Sequence, residues 1–532
     1  MLITFLTRVL QRMAKPRVHL LLVGAIILWV ALSVLLFQML IFSQSPQQSL
    51  QKQKSYHRQH QHNPNKSIIQ RKYDEKRGGK KARQLLLQQP ISQSVQLPIG
   101  NLMNQIQAVV AKAAKPAVLS ADINTGDDPE LLPLGEQSLG KSSDQKMPRM
   151  GVLMIACNRT YYLRQSLGQL IDIRANTISR FAVRYGGGNV TNLSREMRAM
   201  LALPLMVSLD CDPKNTLPTL QEMAKGSQGA VRKILLHPAA MTPVPGLSKE
   251  QRKLEGYYRI ARHYHWAVGA AFRSFKGAID QLIVVEDDLT FSPDFFEYFL
   301  ALGPLLATDR SLMCVSAWND NGKSWMIEPE DEHGRSTLHR TDFFPGLGWL
   351  LSRRLWEEEL ADSWPAAFWD DWLRHWTRMR NRTCIRPEIS RTSTIGEKGV
   401  SKGQFFSDHL QHIQHSRGYA PFFEVRHRLW HQLKVANYET TFRLSVYEDS
   451  KEIEPYRMKY LPESKESNST YRITYYTRRE FEHIADMFGL MRDFKVGVPR
   501  TAYMGVVSFI YHGYRVFLAP PDTRKAYIKE WN

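Results

Sequence analysis

The chain has 532 residues, which is enough for two or three domains and a large hydrophobic core. Its formal net charge of +20 suggests a nucleic-acid partner. However, residues 1–115 contain 17 Lys and Arg against two acidic residues, so little net charge remains for the rest. This distribution argues against a basic groove on the folded part, and we expect no nucleic-acid partner.

An apolar run occupies residues 20–42, interrupted mainly by Ser33 and Gln38. It is long enough to cross a bilayer as a helix. Basic residues precede it and no charge follows closely, so the positive-inside rule predicts a cytosolic tail at residues 1–19 and a luminal chain after Phe42. The alternative is a cleaved signal peptide, which is disfavoured because the run is long and no small-x-small site follows it.

Residues 43–148 are rich in Gln, Ser, Lys and Arg and have very few aromatic residues. Such a segment cannot bury enough apolar surface to order itself, so we expect a disordered luminal stem. Within it, apolar residues fall on one helical face of residues 101–115. That pattern is typical of a short marginal helix or of a pairing site for a partner stem.

The globular part is expected to begin with a buried strand over residues 150–156, a helix over 162–173 and a second strand over 203–209. Strand–helix–strand order predicts a right-handed β-α-β unit at the start of an α/β sheet. Residues 174–201 include three consecutive glycines and two N-glycosylation sequons, and they predict a surface insertion between helix and second strand.

Another apolar run, residues 282–285, leads directly into Glu286, Asp287 and Asp288. Its β-branched residues predict a buried strand of a mostly parallel sheet. The acids then lie at the carboxyl end of a central strand, where open α/β sheets bind ligands. Three adjacent carboxylates repel one another, and a hard cation such as Mn²⁺ or Mg²⁺ bridging to a diphosphate relieves the repulsion. The alternative is a solvated acidic turn.

Aromatic residues are interleaved with carboxylates in residues 342–349 and 364–372, a composition that suits sugar binding. Among the Trp residues, Asp370 and Asp371 form a second acidic pair. Partial desolvation there is expected to raise the proton affinity of a carboxylate, which suits a general base. Ordinary core packing with a helix-capping Asp is the alternative. The glycine-rich residues 396–404 predict either a loop that closes over a diphosphate or a disordered turn.

The remaining patterns concern packing and cross-links. Residues 256–275 predict an aromatic-rich helix whose stripe, including His263, is expected to be mostly core. From about residue 440, alternating apolar and polar residues with one helix near 480–488 predict a small α+β C-terminal domain. An even number of cysteines in a luminal chain is consistent with two disulfides in any of three pairings. The cysteines are Cys157, Cys211, Cys314 and Cys384.

Longer strings accompany these short motifs. They are residues 256–264, 286–288, 293–299, 315–322, 341–351, 364–372, 385–392, 399–406, 497–500 and 518–521. Together they resemble the N-acetylglucosaminyltransferase I family over nearly the whole chain after Met150. The resemblance implies a glycosyltransferase-A type mixed sheet flanked by helices at residues 149–439, followed by the C-terminal domain at 440–532.

Members of that family are type II Golgi membrane enzymes. The resemblance therefore implies inverting transfer of GlcNAc from UDP-GlcNAc to the 2-hydroxyl of the α1,3-mannose of Man5GlcNAc2, a high-mannose N-glycan, with Mn²⁺ as cofactor. One alternative is β1,2-GlcNAc transfer to protein O-linked mannose, for which the stem looks too polar. The other is an inactive sugar-binding module, against which the intact Asp288 and Asp370 argue.

The resemblance also implies roles for individual residues. Asp370 is expected to be the base and Asp288 the sole direct protein ligand of Mn²⁺. The residues expected to bind substrate are Arg159, Asp210 and His263 at the uridine and diphosphate, Asp287 at the ribose, Glu286, Leu347 and Trp369 at the GlcNAc, and Val400 and Ser401 near the diphosphate. The implied disulfides are Cys157–Cys211 and Cys314–Cys384. The interval between Cys157 and Cys211 is longer than is usual in that family.

Overall fold

The computed structural model describes residues 120–121, 147–211, 213–240, 242–397, 399–400, 403, 405–464 and 469–522. These residues belong to one compact unit that begins at Ala113. The expected cytosolic tail, the expected anchor at residues 20–42 and nearly all of the expected stem lie outside the described residues. Within the described ranges, no helix is both long enough and apolar enough to cross a membrane.

The described strands are β1 (Ser120–Ala121), β2 (Met150–Ala156), β3 (Leu205–Leu209), β4 (Val231–Leu236), β5 (Gln281–Glu286), β6 (Leu289–Phe291), β7 (Leu312–Ser316), β8 (Leu338–Thr341), β9 (Trp349–Ser352), β10 (Thr383–Pro387), β11 (Thr392–Thr394), β12 (Lys451–Glu452), β13 (Thr470–Thr474), β14 (Phe494–Lys495), β15 (Val498–Pro499), β16 (Val507–Tyr511) and β17 (Tyr514–Ala519).

The described α-helices are α1 (Thr160–Gly186), α2 (Arg195–Leu201), α3 (Pro213–Gly226), α4 (Lys249–Arg252), α5 (Glu255–Arg273), α6 (Phe295–Thr308), α7 (Glu332–Ser336), α8 (Arg353–Leu355), α9 (Trp369–Arg374), α10 (Trp376–Met379), α11 (Arg426–Leu433), α12 (Val435–Arg443), α13 (Pro455–Lys459) and α14 (Arg478–Phe488).

Among the described residues, the central sheet has the strand order β1-β4-β3-β2-β5-β9-β7-β10-β8. Strands β4, β3, β2 and β5 are mutually parallel, whereas β9 runs antiparallel to both β5 and β7. The predicted mixed α/β sheet is therefore confirmed. Because the four parallel strands end at the same edge, the residues that follow them are brought together there.

Strand β5 is buried on both faces, as its unbroken apolar run predicts. Ile283 and Val285 belong to one hydrophobic core together with residues of α1 and α6. Leu282 and Val284 point to the opposite face and belong to a second core with residues of α5 and α9. Because alternate residues of β5 pack into two different cores, the register of this strand is fixed between two helical layers. The positions of the acidic residues at its end are fixed with it.

Strand β2 lies where the sequence predicts it. The prediction of a surface insertion over residues 174–201 is partly wrong, because the helix predicted to end at Ile173 continues to Gly186. Thr177 and Phe181 extend the buried stripe of α1, and the helix stops where Gly187 adopts a left-handed conformation with φ of 59°. Helix α2 forms the end of the same segment.

A four-stranded sheet with the order β12-β13-β17-β16 forms near the C-terminus, and α14 contributes Phe481 and Ile484 to its separate core. The two implied disulfides are both confirmed. Cys157 directly follows β2, and its partner Cys211 lies shortly after the end of β3. The second disulfide, Cys314–Cys384, joins the neighbouring strands β7 and β10. Their Cα atoms are 4.9 and 4.6 Å apart.

Candidate active site

The carboxyl end of β5 carries a tight network of charges. Arg159, which follows β2, donates from Nη1 to Asp288 Oδ2 at 2.5 Å and also pairs with Asp287. Asp287 accepts a further hydrogen bond from the backbone N–H of Cys157 at 3.2 Å. Within the described residues no three His, Cys, Asp or Glu side chains converge as a metal cluster. Asp287 and Asp288 share the guanidinium of Arg159.

Burial makes this negative charge costly. It raises the pKa of Glu286 to about 7 and that of Asp287 to about 6, and the neighbouring Asp288 acts in the same direction. Burial opposes the charge on Arg159 as well, but Asp287 and Asp288 outweigh it and raise the pKa of the guanidinium. The site thus favours a bound cation, which Arg159 partly supplies.

Tyr264 on α5 joins the two acidic clusters. Its hydroxyl donates to Glu286 Oε1 at 2.6 Å, and its ring stacks on Trp369, with centroids 4.2 Å apart and planes inclined by 26°. Burial and the negative charges of Glu286, Asp288 and Asp370 all raise the pKa of this hydroxyl. The charges at both clusters therefore act on one group, and the structure brings Asp288 and Asp370 into one region.

Asp370 lies in the first turn of α9 with its side chain 43% exposed. Arg374, one turn later and buried, donates from Nη1 to Asp370 at 2.7 Å and to Asp371 at 2.8 Å. Burial acts to raise the pKa of Asp370, but Arg374 outweighs it, and the pKa lies below the usual value. The expectation of raised proton affinity is therefore wrong, because a buried guanidinium compensates for the desolvation. Asp370 is ionised at neutral pH.

Leu347 lies in the loop before β9, at a positive φ of 47°. Its carbonyl accepts from Thr392 Oγ1 at 2.7 Å, which ties the loop to β11 beside Asp288. At the start of the same loop, the Phe344 carbonyl accepts from Arg374 Nε at 3.1 Å. The loop carrying Leu347 is thereby fastened at one end to the helix of Asp370 and at the other to the strand next to Asp288.

A second cluster of polar side chains lies at the ends of β3 and β4. Asp210 follows β3 and His237 follows β4, and Asp210 Oδ1 lies 2.9 Å from His237 Nδ1. The His237 ring packs edge-on against His263, whose Nε2 lies 2.7 Å from Ser208 Oγ. The structure thus brings Asp210 and His263 together, in line with their implied role at one end of a nucleotide. Both imidazoles are buried.

Burial lowers the pKa of His263 to about 4, although Asp210 acts in the opposite direction. The fold holds the neutral ring, whereas an unfolded chain takes up the proton near pH 6.5. Stability from this residue is thus complete above pH 6.5 and is lost as the pH falls towards 4. We expect about 2 kcal/mol of loss between pH 7 and 5. Urea unfolding at both pH values should show this loss in the wild type and a smaller one in His263→Gln.

The exposed His431 on α11 provides the matched control for that measurement. His431→Gln should keep the wild-type pH dependence of the unfolding free energy. Equal pH dependence in His263→Gln and the wild type would show that His263 does not contribute to acid sensitivity.

The glycine-rich segment leaves β11 beside Asp288. The backbone N–H of Ile395 donates to the Asp288 carbonyl at 2.9 Å, and a Cβ added at Gly396 would lie 2.0 Å from Asp288 Oδ2. Further along, the Val400 side chain packs against Gly256 at the start of α5. Val400 therefore lies against the helix that carries Tyr264. Ser401, implied to lie near a diphosphate, is outside the described residues.

Four residues that shape the site were not predicted from the sequence. Arg374 was detectable, because a basic residue four positions after Asp370 shares its helix face. His237 directly follows a parallel strand, and it was missed because Arg232 and Lys233 obscure β4. The contacts of Tyr264 and Gly396 join segments far apart in sequence and leave no local signal.

A family model and a curated relative each match more than half of the chain. The family model described as the GNT-I family matches residues 189–531. The chain is 33% identical over 417 residues, covering 76% of this chain and 82% of the relative, to an alpha-1,3-mannosyl-glycoprotein 2-beta-N-acetylglucosaminyltransferase of Arabidopsis thaliana.

More distant solved structures are also similar. A mannosyltransferase from Pyrobaculum calidifontis in complex with GDP-Man and Mn²⁺ is 14% identical, with a TM-score of 0.30, 65% of this chain and 82% of that chain covered. GalNAc-T7 with UDP, GalNAc and Mn²⁺ is 13% identical, with a TM-score of 0.28, 57% of this chain and 51% of that chain covered.

The α/β fold, the acids at the carboxyl ends of its parallel strands and the match to a named transferase define a glycosyltransferase. Its substrates are accordingly a nucleotide-sugar donor and a glycan acceptor. The chain belongs to the GNT-I family, whose model matches more than half of its length.

Proposed function

We propose that this protein transfers GlcNAc from UDP-GlcNAc to the 2-hydroxyl of the α1,3-mannose of Man5GlcNAc2 on glycoproteins, forming a β1,2 linkage. Family membership and the name of the Arabidopsis relative support this substrate choice. The observation that carries the chemistry is the convergence of both acidic clusters on Tyr264, since transfer needs a donor site and a base in one cleft.

Asp370 is the base in this proposal. Its carboxylate takes the proton from the mannose 2-hydroxyl while that oxygen attacks C1 of GlcNAc opposite the departing UDP. A single displacement of this kind inverts the α-linked donor to a β-linked product. Arg374 keeps the Asp370 carboxylate ionised and oriented, so no deprotonation has to precede the attack.

The residues present fit a divalent cation of the Mn²⁺ class, with Asp288 as its protein ligand. A carboxylate oxygen is the hard donor that such ions prefer, and a cation would offset the cost of negative charge that raises the pKa of the buried Glu286. Asp288 would hold the ion through one carboxylate, and the donor diphosphate and water would supply its other oxygen ligands. When bound, Mn²⁺ supplies charge neutralisation for the departing UDP. Asp210 and His263 are proposed to hold the uridine end.

The proposal includes a Golgi location with type II topology. Residues 1–19 would face the cytosol, residues 20–42 would cross the membrane, and the catalytic part would lie in the lumen. The flanking charges of the apolar run and the two disulfides of the described residues support this placement, because disulfides form and persist in oxidising compartments.

The test is an acceptor comparison with the purified protein. We expect UDP release and a β1,2-linked product with Man5GlcNAc2, and at least about tenfold lower kcat/KM with an O-mannosylated peptide, because acceptor specificity arises from differential transition-state binding. Preference for the O-mannosyl peptide would replace the proposed acceptor. Binding of UDP-GlcNAc without transfer to either acceptor would support the sugar-binding alternative.

A further inference from the structure

The connection between α1 and α2 carries two sequons that the transferase site does not use. They are Asn189-Val190-Thr191 and Asn192-Leu193-Ser194, and we call residues 187–194 the sequon loop. Such sequences accept N-linked oligosaccharides in chains that enter the secretory lumen, and the modification requires a surface position. The structure places the two asparagines in different surroundings.

Asn189 is exposed and follows two glycines with φ of 59° and 89°, which direct the chain away from the end of α1. Its Oδ1 accepts from the backbone N–H of Thr191 at 2.9 Å and from Thr191 Oγ1 at 2.8 Å. The side-chain oxygen is therefore fixed by the hydroxyl residue of its own sequon. Among the described residues, none accepts a hydrogen bond from Asn189 Nδ2, so this nitrogen is available on the surface.

Asn192 is exposed as well, but its amide nitrogen already has a partner. Its Nδ2 donates to the Gly186 carbonyl at 3.1 Å, in the last turn of α1. The next residue, Leu193, is buried, and its side chain would lie only 3.1 Å from a Cβ placed on Gly186. An oligosaccharide on Asn192 Nδ2 would disturb the hydrogen bond from this nitrogen to the Gly186 carbonyl at the end of α1. Residues three apart lie within about 10 Å of one another, so a glycan on Asn189 would also cover Asn192.

The sequon loop is remote from the reacting groups. Helix α1 begins directly after Arg159 and has 27 residues, which corresponds to a length of about 40 Å. The sequon loop begins at the opposite end of this helix. A glycan there is attached far from the donor site, and its presence is compatible with catalysis.

We propose that Asn189 is N-glycosylated and Asn192 is not. In the reaction, Asn189 Nδ2 attacks C1 of an oligosaccharide carried on a polyprenyl diphosphate. The C1–N bond forms, the C1–O bond to the diphosphate breaks, and an amide proton passes to a base of the oligosaccharide-transferring enzyme. The modification depends on the luminal placement proposed above, and it does not depend on which acceptor this protein uses.

The test uses the full chain expressed in a eukaryotic cell, with peptide mapping before and after enzymatic release of N-glycans. The Asn189 peptide should carry a glycan, and Asn189→Gln should remove it. Asn192→Gln is the matched control and should leave the glycan in place. Because Asn189 is a surface residue, Asn189→Gln should change kcat for GlcNAc transfer by less than about twofold.

An unmodified Asn189 peptide, or a glycan on Asn192 instead, would overturn the proposal. Mapping of the wild-type chain reads occupancy directly, so the result stands even where Asn189→Gln folds poorly. Glycan occupancy at Asn189 is measured independently of the GlcNAc-transfer assay, so the two proposals can fail separately. An inactive but glycosylated chain would reject the proposed function alone, whereas an active, unmodified chain would reject the glycosylation alone.

Discussion

Asp370→Asn is expected to lower kcat for GlcNAc transfer by about 10³-fold, within the range typical of a lost general base. The amide cannot take the proton from the mannose hydroxyl. The fold should tolerate the change, because the buried Arg374 keeps its hydrogen bond to Asp371 at 2.8 Å. Titration calorimetry should therefore show unchanged UDP affinity while steady-state assays show the loss of turnover.

Asp371→Asn is the matched control for that result. It leaves the bond between Arg374 and Asp370 at 2.7 Å intact and removes the same charge one residue away. Lys495, which lies 3.4 Å from Asp371, loses only a half-exposed partner. Asp371→Asn should thus retain most of its turnover. Substantial turnover in Asp370→Asn would exclude Asp370 as the base, and a reversed pattern would assign that role to Asp371.

The sequence predicts most reliably what local patterns specify. Residues 282–288 combine a buried strand and its terminal acids in one short run, and the strand lies where the pattern places it. Helix α5 is predictable for the same reason, because the aromatic-rich pattern over residues 256–275 is local, and the helix spans Glu255–Arg273. These elements also place Asp288 at the sheet edge, so the position of half of the site was predictable.

The charge state of Asp370, in the other half of the site, was not predictable from composition alone. Aromatic neighbours of Asp370 correctly indicate desolvation, but the sign of the pKa shift depends on Arg374, and its guanidinium decides the outcome. Strand β4 was missed for a similar reason, because Arg232 and Lys233 interrupt its apolar pattern at a position beside an edge strand. In both cases a tertiary contact outweighs the local signal.

Gly396→Ala is expected to lower turnover and metal-dependent UDP binding as removal of the Asp288 side chain would, although it alters no charged group. The added Cβ would lie 2.0 Å from Asp288 Oδ2 and 2.8 Å from its Cγ, so the carboxylate or the loop must move. A displacement of about 1 Å in such a site lowers turnover by about 10²-fold. Metal-dependent UDP binding, measured by calorimetry with and without Mn²⁺, is expected to weaken both in Gly396→Ala and in Asp288→Ala.

Gly399→Ala is the matched control, since it lies in the same glycine-rich segment and an added Cβ there meets nothing within 4 Å. Loss in Gly396→Ala with normal binding in Gly399→Ala would locate the effect at the Asp288 carboxylate rather than in loop flexibility. Equal losses in both variants would instead assign the effect to loop mobility. If the single variants Gly396→Ala and Asp288→Ala both bind UDP with the metal dependence of the wild type, Asp288 is not a ligand of the cation. Neither displacement nor removal of its carboxylate would then affect metal-dependent binding.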